Sequence, residues 1–246
     1  MIQAEHICKY YTNHNHTVRA VDDVSFTVAE HERVGIAGGS GSGKSTLLRL
    51  LAMLEKPTSG TLRLFGEDIW QIQNYTEVYR SLQMMFQNPL AVIPPRMNLE
   101  AFLLEPYINY GLMDMAGAKE DIRKWIRHVD LPETIIQKYP HEVSGGQLQR
   151  VVLARIMLMK PKLVLFDEPT SALDAVNQKL VLDLLQKLHK EQPFGYVFVS
   201  HDIGLLQAVT DRILVMKDGQ IVENIESTRL KEAVHPYTQA LVEASV

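Results

Sequence analysis

The sequence of 246 residues contains one cysteine, Cys8, and no long hydrophobic run. A single thiol excludes a disulfide framework, and it excludes thiolate zinc and iron–sulfur sites built within this chain. No stretch approaches the roughly 18 consecutive apolar residues of a membrane span. The first residues, 1–6, show no basic region followed by an apolar block, so no secretory signal is expected. Any membrane association should therefore come through a partner.

Basic charge is also scarce. The 25 Lys and Arg residues are outnumbered by 29 Asp and Glu residues, which gives a formal net charge of −4. Proteins that bind nucleic acid neutralise its phosphates with clustered Lys and Arg, so we expect no nucleic-acid partner. With 46% hydrophobic and 22% charged residues, the composition is that of a globular protein with a full core.

The strongest chemical signal is a glycine-rich stretch, Gly38-Gly39-Ser40-Gly41-Ser42-Gly43-Lys44-Ser45-Thr46. It matches the phosphate-loop pattern of Gly, four residues and Gly-Lys-Ser/Thr, and the predicted strand at 33–37 and helix at 47–54 supply the flanks that the motif requires. Backbone amides at glycines and at a helix N-terminus bind phosphate. We expect Lys44 to reach the outer phosphates and Ser45 to bind Mg²⁺. A flexible linker, the alternative, would not have such flanks.

A second signal is a buried strand, predicted at 163–167, that ends in the acids Asp167 and Glu168. Parallel sheets bind ligands at the carboxyl ends of their strands. Asp167 is expected to hold Mg²⁺ through water, and Glu168 to orient or deprotonate the water that attacks the terminal phosphate. The strand predicted at 195–199 ends similarly, before His201. This histidine either contacts that phosphate and the water or caps the following helix.

Two further stretches have polar groups that could contact the phosphates, the metal or the attacking water. Gln87 follows the strand predicted at 82–86, where it could meet Mg²⁺ or the attacking water. The run Ser144-Gly145-Gly146-Gln147 opens the helix predicted at 145–159. Ser144 is a suitable N-cap, and the glycines expose amides at the positive end of the helix. One nucleotide does not need two anion sites from one chain, whereas two copies facing each other could use both.

Two features have two interpretations each. Tyr10 or Tyr11, in a polar loop predicted at 9–17, presents a ring either to an adenine or to neighbouring side chains at a strand end. His14 and His16 either bind a metal or are solvated.

The strand and helix predictions alternate, which indicates a mainly parallel sheet wrapped by helices on both faces. A helical insertion is expected from about 90 to 155. Its apolar first part, 90–112, forms either a docking surface or the core of the insertion itself. The remaining strands are predicted at 2–8, 24–28, 61–65, 212–216 and 220–224, and the remaining helices at 98–110, 117–129, 174–190 and 202–209.

In this order, the motifs resemble those of the ATPase subunits of ABC transporters, over nearly the whole chain. The resemblance identifies the Walker A loop as 38–46, the Q-loop glutamine as Gln87, the signature as 144–147, Walker B as 163–168, the D-loop as 171–174 with Asp174, the switch histidine as His201 and the adenine-stacking aromatic as Tyr11.

The resemblance implies an α/β P-loop NTPase core with a mainly parallel sheet, an antiparallel β part and a helical subdomain. The core would comprise 1–87 and 160–246, and the subdomain 88–159. It also implies ATP with Mg²⁺, a location on the cytoplasmic face of the membrane, and a dimer that sandwiches two ATP molecules head to tail. The signature of one subunit would then close on the nucleotide held by the other.

A narrower likeness concerns Phe86-Gln87-Asn88-Pro89, Pro95-Arg96 and the tail 235–241, which look like the oligopeptide, dipeptide and nickel importer branch. Val143 replaces the leucine usual before the signature, and 90–94 departs from the branch's pattern. The likeness implies a different chain as second ATPase subunit, two transmembrane permease subunits and an extracytoplasmic solute-binding protein. The function predicted is ATP hydrolysis coupled to import of a peptide, nickel or metal chelate. The alternatives are an ABC-type ATPase acting on nucleic acid or ribosomes and an exporter subunit.

Overall fold

The computed structural model of the protein describes residues 1–13, 16–88, 90 and 92–245. The predictions that concern His14, and Pro89 in the importer-like run, lie outside the described residues. The strands are β1 (Ile2–Asn13), β2 (His16–Val28), β3 (Arg33–Ala37), β4 (Ser59–Leu64), β5 (Glu67–Asp68), β6 (Leu82–Met85), β7 (Leu163–Asp167), β8 (Gly195–Ser200), β9 (Arg212–Lys217) and β10 (Gln220–Glu226). The α-helices are α1 (Lys44–Leu51), α2 (Tyr75–Ser81), α3 (Leu99–Tyr110), α4 (Met115–His128), α5 (Gly145–Leu158), α6 (Ala175–Glu191), α7 (Ile203–Val209) and α8 (Pro236–Glu243).

The prediction of a polar loop at 9–17 is wrong for residues 9–13 and 16–17, which lie in strands. β1 continues to Asn13 and β2 begins at His16, and the two strands pair antiparallel out to that point. Ladder hydrogen bonds hold these polar residues in strands although both faces are largely exposed, so no apolar alternation marks them. The helix predicted to begin at residue 47 begins instead at Lys44, because its first turn belongs to the glycine-rich loop.

The first of two compact units comprises Met1–Tyr75, Lys162–Glu168 and Phe194–Val246. It contains an antiparallel sheet in the order β2-β1-β4-β5. It also contains the strands β10-β9-β3-β8-β7, in that order, of a mostly parallel sheet. In this sheet β3 pairs in parallel with β8 and β9, and β7 in parallel with β8. The carboxyl ends of β3, β7 and β8 therefore lie at one edge, where their polar successors emerge.

The second unit comprises Thr76–Pro161 and Pro169–Pro193 and is mostly helical. Its apolar segment contributes Leu99, Phe102 and Tyr107 to the unit's own core, whereas Leu90 and Ile108 are exposed. The buried residues support the interpretation of this segment as core, and the exposed residues support its interpretation as a docking surface. The boundaries predicted for a helical subdomain at 88 and 159 stay a prediction. Among the described residues, no helix is both long and apolar enough to cross a membrane.

Candidate functional site

The glycine-rich loop joins β3 to α1 and is held against backbone of two neighbouring strands. Gly43, the N-cap of α1, has a φ of 101°, and a Cβ there would lie 2.1 Å from the carbonyl oxygen of Ala20. A Cβ on Gly38 would lie 2.3 Å from the carbonyl oxygen of Met216. Glycine is therefore required at both positions, by conformation at the first and by close approach at both.

Lys44 lies inside this loop with 6% of its surface exposed. Its ammonium donates hydrogen bonds to the carbonyl oxygens of Gly38 and Gly39, both at 2.8 Å, and to the Ser42 hydroxyl at 3.4 Å. Burial lowers the pKa of Lys44, and the charges of Glu168 and Asp167 oppose this shift. The groups that accept hydrogen bonds from the ammonium are all neutral. A buried cation whose direct partners are neutral favours an incoming anion.

A cavity of about 390 Å³ opens on this loop. Such a volume is within the range of small-molecule sites. Its lining brings the loop residues Gly41–Thr46 together with Arg19 and Asp218, which come from β2 and from the turn between β9 and β10. No sequence pattern marks Arg19 or Asp218, because strand pairing rather than chain proximity carries them to the loop.

The acidic end of β7 lies beside the first turn of α1. The Ser45 hydroxyl is 3.3 Å from the Asp167 carboxylate. Burial raises the pKa of Asp167, the hydrogen bond from Ser45 opposes this shift, and the charge of Glu168 adds to it. A hydroxyl and a carboxylate are the hard oxygen donors that Mg²⁺ prefers, and Mg²⁺ commonly takes its remaining ligands from phosphates and water. The donor set of Ser45 and Asp167 therefore fits the expected metal.

Glu168 and His201 leave the same edge of the sheet and meet there. His201 Nδ1 is 3.6 Å from Glu168 Oε2, and the backbone amide of Glu168 donates to the Val199 carbonyl at 3.1 Å. The alternative in which His201 caps the next helix is wrong. Asp202 is the N-cap of α7 and accepts from the Leu205 amide at 3.0 Å. With 64% of its side chain exposed, His201 can contact a ligand.

The two tyrosines differ in their surroundings. The Tyr11 hydroxyl donates to Glu55 at 2.5 Å, and the Lys9 ammonium is 5.2 Å from the Tyr11 ring centroid. Burial, with the hydrogen bond to Glu55, raises the pKa of Tyr11, although 40% of the residue is exposed. The Tyr10 hydroxyl donates to Asp22 at 2.5 Å. Neither tyrosine lines the cavity at the loop, so stacking of Tyr11 on adenine stays a prediction.

The signature run is in the second unit, where it begins α5. Ser144 is the N-cap as predicted, and it exchanges two hydrogen bonds with Gln147 in a capping box, at 3.3 and 3.0 Å. The two glycines are not equivalent. Gly145 is exposed, whereas Gly146 is buried, and a Cβ on it would lie 2.9 Å from Asn177 Oδ1. A side chain at position 146 would displace that of Asn177, so the packing of α5 on α6 favours glycine there, independently of any anion.

Gln87 and the D-loop meet within the same unit. The Gln87 side-chain amide donates to the Ser171 hydroxyl at 3.3 Å. Asp174 caps α6 by accepting from the amides of Val176 and Asn177, at 3.1 and 3.0 Å, and these and further Asn177 hydrogen bonds lower its pKa. The roles of Gln87 and Asp174 toward nucleotide and metal stay predictions.

Known sequences resemble this chain along most of its length. A protein-family model described as ABC transporter matches residues 21–171, more than half of the chain. The oligopeptide transport ATP-binding protein AppF of Bacillus subtilis is 38% identical over 92% of this chain and 70% of its own length. The nickel import ATP-binding protein NikE of Brucella abortus is also 38% identical, over 99% of this chain and 94% of its own length.

Solved structures of ABC transporter cassettes have a fold similar to that of this chain. The dimeric bacterial ABC transporter cassette MJ0796 superposes with a TM-score of 0.83 at 29% identity, covering 92% of this chain and 99% of its own. A post-hydrolysis dimer of the same cassette, bound to ADP and Pi, gives a TM-score of 0.81 at the same identity and coverage.

Proposed function

This chain belongs to the ABC transporter family and is an ATP-hydrolysing cassette, and from that premise we propose that it is the ATPase subunit of an importer for peptides or nickel. The observation that carries the import proposal is the similarity to importer ATPases of both classes at 38% identity, over nearly the whole chain for the nickel importer. The importer-like tail, His235 to Leu241, supports the same branch.

Binding of ATP begins with the phosphates. Lys44 exchanges its bonds to Gly38 and Gly39 for the outer phosphates, while the amides of the loop and of the first turn of α1 bind the remaining oxygens. The exchange gives the buried ammonium a charged partner in place of the neutral ones in its loop. Tyr11 stacks on the adenine at the edge of the site.

Ser45 and Asp167 would hold Mg²⁺, and Gln87 would be a further ligand. When bound, the ion would neutralise charge on the outer phosphates during transfer of the phosphoryl group to water. Asp167 is suited to this role because its burial disfavours a carboxylate charge until a cation is present. A metal thus stabilises the ionised form that the fold alone opposes.

Glu168 orients and deprotonates the attacking water, and His201 holds the same water and the terminal phosphate. Their separation of 3.6 Å leaves both within reach of one water molecule. Ser144–Gln147 and Asp174 act on the nucleotide of a second subunit. A shared, two-chain site explains why the anion-binding end of α5 belongs to a different unit from the phosphate loop.

ABC cassettes dimerise and work with membrane subunits. For this chain we infer a second ATPase subunit, two transmembrane permease subunits and an extracytoplasmic solute-binding protein as partners. Attachment to the permeases places the chain at the cytoplasmic face of the membrane. The net charge of −4 disfavours the rival role on nucleic acid or ribosomes.

The test is purification of the tagged chain from membranes with whatever binds it, followed by reconstitution in vesicles. ATP turnover is measured with the solute-binding protein loaded with a mixed peptide pool, with Ni²⁺, or with neither. Stimulation by either solute supports import and selects its class. The same complex carrying Glu168→Gln is the matched control and should show no stimulation.

Recovery with ribosomes or nucleic acid instead of permeases would contradict the transporter role. Recovery with permeases, but stimulation only by a substrate supplied on the ATP side of the vesicle, would contradict import and favour export.

A further inference from the structure

The C-terminal segment returns to the glycine-rich loop. The Tyr237 hydroxyl, in the first turn of α8, accepts a hydrogen bond from the backbone amide of Gly39 at 2.7 Å. The two residues are 198 positions apart in the sequence. A Cβ on Gly39 would lie 3.1 Å from that hydroxyl, so the phenol directly borders the loop.

One contact holds the phenol ring, and two others hold the backbone that carries it. The Lys217 ammonium, at the end of β9, lies 5.3 Å from the centroid of the Tyr237 ring. His235 caps α8 and accepts from the Tyr237 amide at 3.1 Å. Glu223 of β10 accepts from the amides of Val234 and His235, at 2.8 and 3.3 Å. The position of the hydroxyl is therefore fixed by the sheet that also carries the loop, not by a free chain end.

The bond acts at a residue that the Lys44 ammonium also contacts. The carbonyl oxygen of Gly39 accepts from Lys44 at 2.8 Å, while its amide is fixed by Tyr237. This residue is thus held on both polar groups, one by the lysine and one by the tail. The lysine of a phosphate loop serves the outer phosphates. A displacement of Gly39 would therefore alter the site mainly where the terminal phosphate binds.

The hydroxyl can also act as a donor. A tyrosine hydroxyl both accepts and donates, and accepting from Gly39 leaves its own proton to donate. A hydroxyl that accepts one hydrogen bond is polarised and becomes a better donor for the next. Phosphate oxygens are strong acceptors, so the Tyr237 hydroxyl could donate a hydrogen bond to a phosphate bound beside Lys44 and Gly39.

We propose that Tyr237 is a positioning residue of the phosphate loop. Its hydroxyl fixes Gly39 so that Lys44 and the loop bind the terminal phosphate, and the C-terminal segment thereby sets the preference of the cassette for ATP over ADP. The inference rests on ATP binding by this chain and not on the imported solute, so it is tested on the isolated chain.

The test is Tyr237→Phe, which removes the hydroxyl and keeps the ring under Lys217. We measure the Kd of a non-hydrolysable ATP analogue and of ADP, each with Mg²⁺, together with the melting temperature. Affinity for the ATP analogue should fall about fivefold, the effect of one hydrogen bond, and affinity for ADP should change less than twofold. The melting temperature should fall by no more than about 4 °C, because one hydrogen bond but no packing is lost.

The matched control is Gln239→Ala in the same helix. Its side-chain amide donates to the Ala233 carbonyl at 2.9 Å, so this variant loosens the tail without touching the loop. It should keep the wild-type ratio of ATP to ADP affinity. As a direct readout, exchange of the Gly39 amide proton with solvent should accelerate in Tyr237→Phe and not in the control.

Three results would overturn the proposal: an unchanged affinity ratio in Tyr237→Phe, an equal loss of affinity for ATP and ADP, or the same change in Gln239→Ala. The second and third would mean that the tail only stabilises the fold. A wild-type chain that binds neither nucleotide would instead contradict the ATPase assignment itself, which separates the two failures.

Discussion

Replacing Glu168 by Gln isolates the proposed step of water activation. The two side chains have the same shape, so the backbone, with its φ of 44° and its bond to Val199, should be retained. The amide cannot accept a proton. A positioned general base contributes about 10²–10⁴-fold to the rate, which corresponds to about 3–5 kcal/mol of the barrier. We therefore expect turnover to fall by at least about 100-fold.

Affinity for ATP should stay within about threefold of wild type, because the phosphate contacts come from the loop and Lys44. Phosphate release at saturating ATP and Mg²⁺ measures turnover, and a fluorescent ATP analogue measures binding. Because bound ATP is no longer consumed, the variant should also accumulate as an ATP-bound dimer in size-exclusion chromatography. Glu67→Gln, an exposed carboxylate on β5, is the matched control and should behave as wild type.

His201 offers a second check on the same step. It lies 3.6 Å from Glu168, and groups that act on one water are strongly non-additive. The double variant with His201→Ala should be little slower than Glu168→Gln alone. Turnover of Glu168→Gln within tenfold of wild type, or fully additive losses in the double variant, would refute a shared role in water activation.

Three other predictions concern the phosphate and metal contacts. Asp167→Asn should raise the melting temperature without ligand and abolish Mg²⁺-dependent turnover. Since burial raises the pKa of this acid, its contribution to wild-type stability falls as pH increases from the unfolded to the folded pKa. Across that range the melting temperature of the wild type should therefore rise less, or fall more, with pH than that of the variant. Lys44→Ala should weaken ATP binding at least about 30-fold in an equilibrium titration, the typical loss for one member of a buried charge pair. Gly43→Ala places a Cβ 2.1 Å from the Ala20 carbonyl at a positive φ, so calorimetry should show a lower melting temperature and titration no ATP binding.

Local sequence predicts an element well when the residues that determine its structure and those that determine its chemistry lie in the same segment. β7 consists of four buried apolar residues followed by Asp167, and its bounds agree with the prediction. From residue 163 to 226, every predicted strand and helix agrees with the structure to within two residues. α5 has the predicted cap at Ser144 because a hydroxyl before a helix accepts from the first-turn amides.

Contacts made by distant segments could not be predicted in this way. Arg19 and Asp218 reach the cavity through the pairing of β2 and of β9 with β10, and Tyr237 reaches Gly39 across 198 positions. Periodicity records which face of a segment is buried, but not which other segment covers it. The polar ends of β1 and β2 were likewise not predicted, because backbone pairing rather than apolar burial keeps them extended.

Lys44 shows why the loop can be stable without a nucleotide and still prefer one. Its ammonium has two carbonyl oxygens and a hydroxyl as partners, which satisfies its donors and holds the ends of the loop together. These partners are neutral, and burial lowers the pKa of Lys44 although the charges of Glu168 and Asp167 oppose the shift. A phosphate replaces them with hydrogen bonds in which donor and acceptor are both charged, and such bonds are stronger. Lys44 contributes to the free energy of binding by the difference between these two sets of hydrogen bonds. This contribution grows with the phosphate charge that lies close to its ammonium. A loop organised in this way discriminates between nucleotides by the phosphate charge they place beside the Lys44 ammonium. Tyr237 borders the loop at Gly39, which that ammonium contacts.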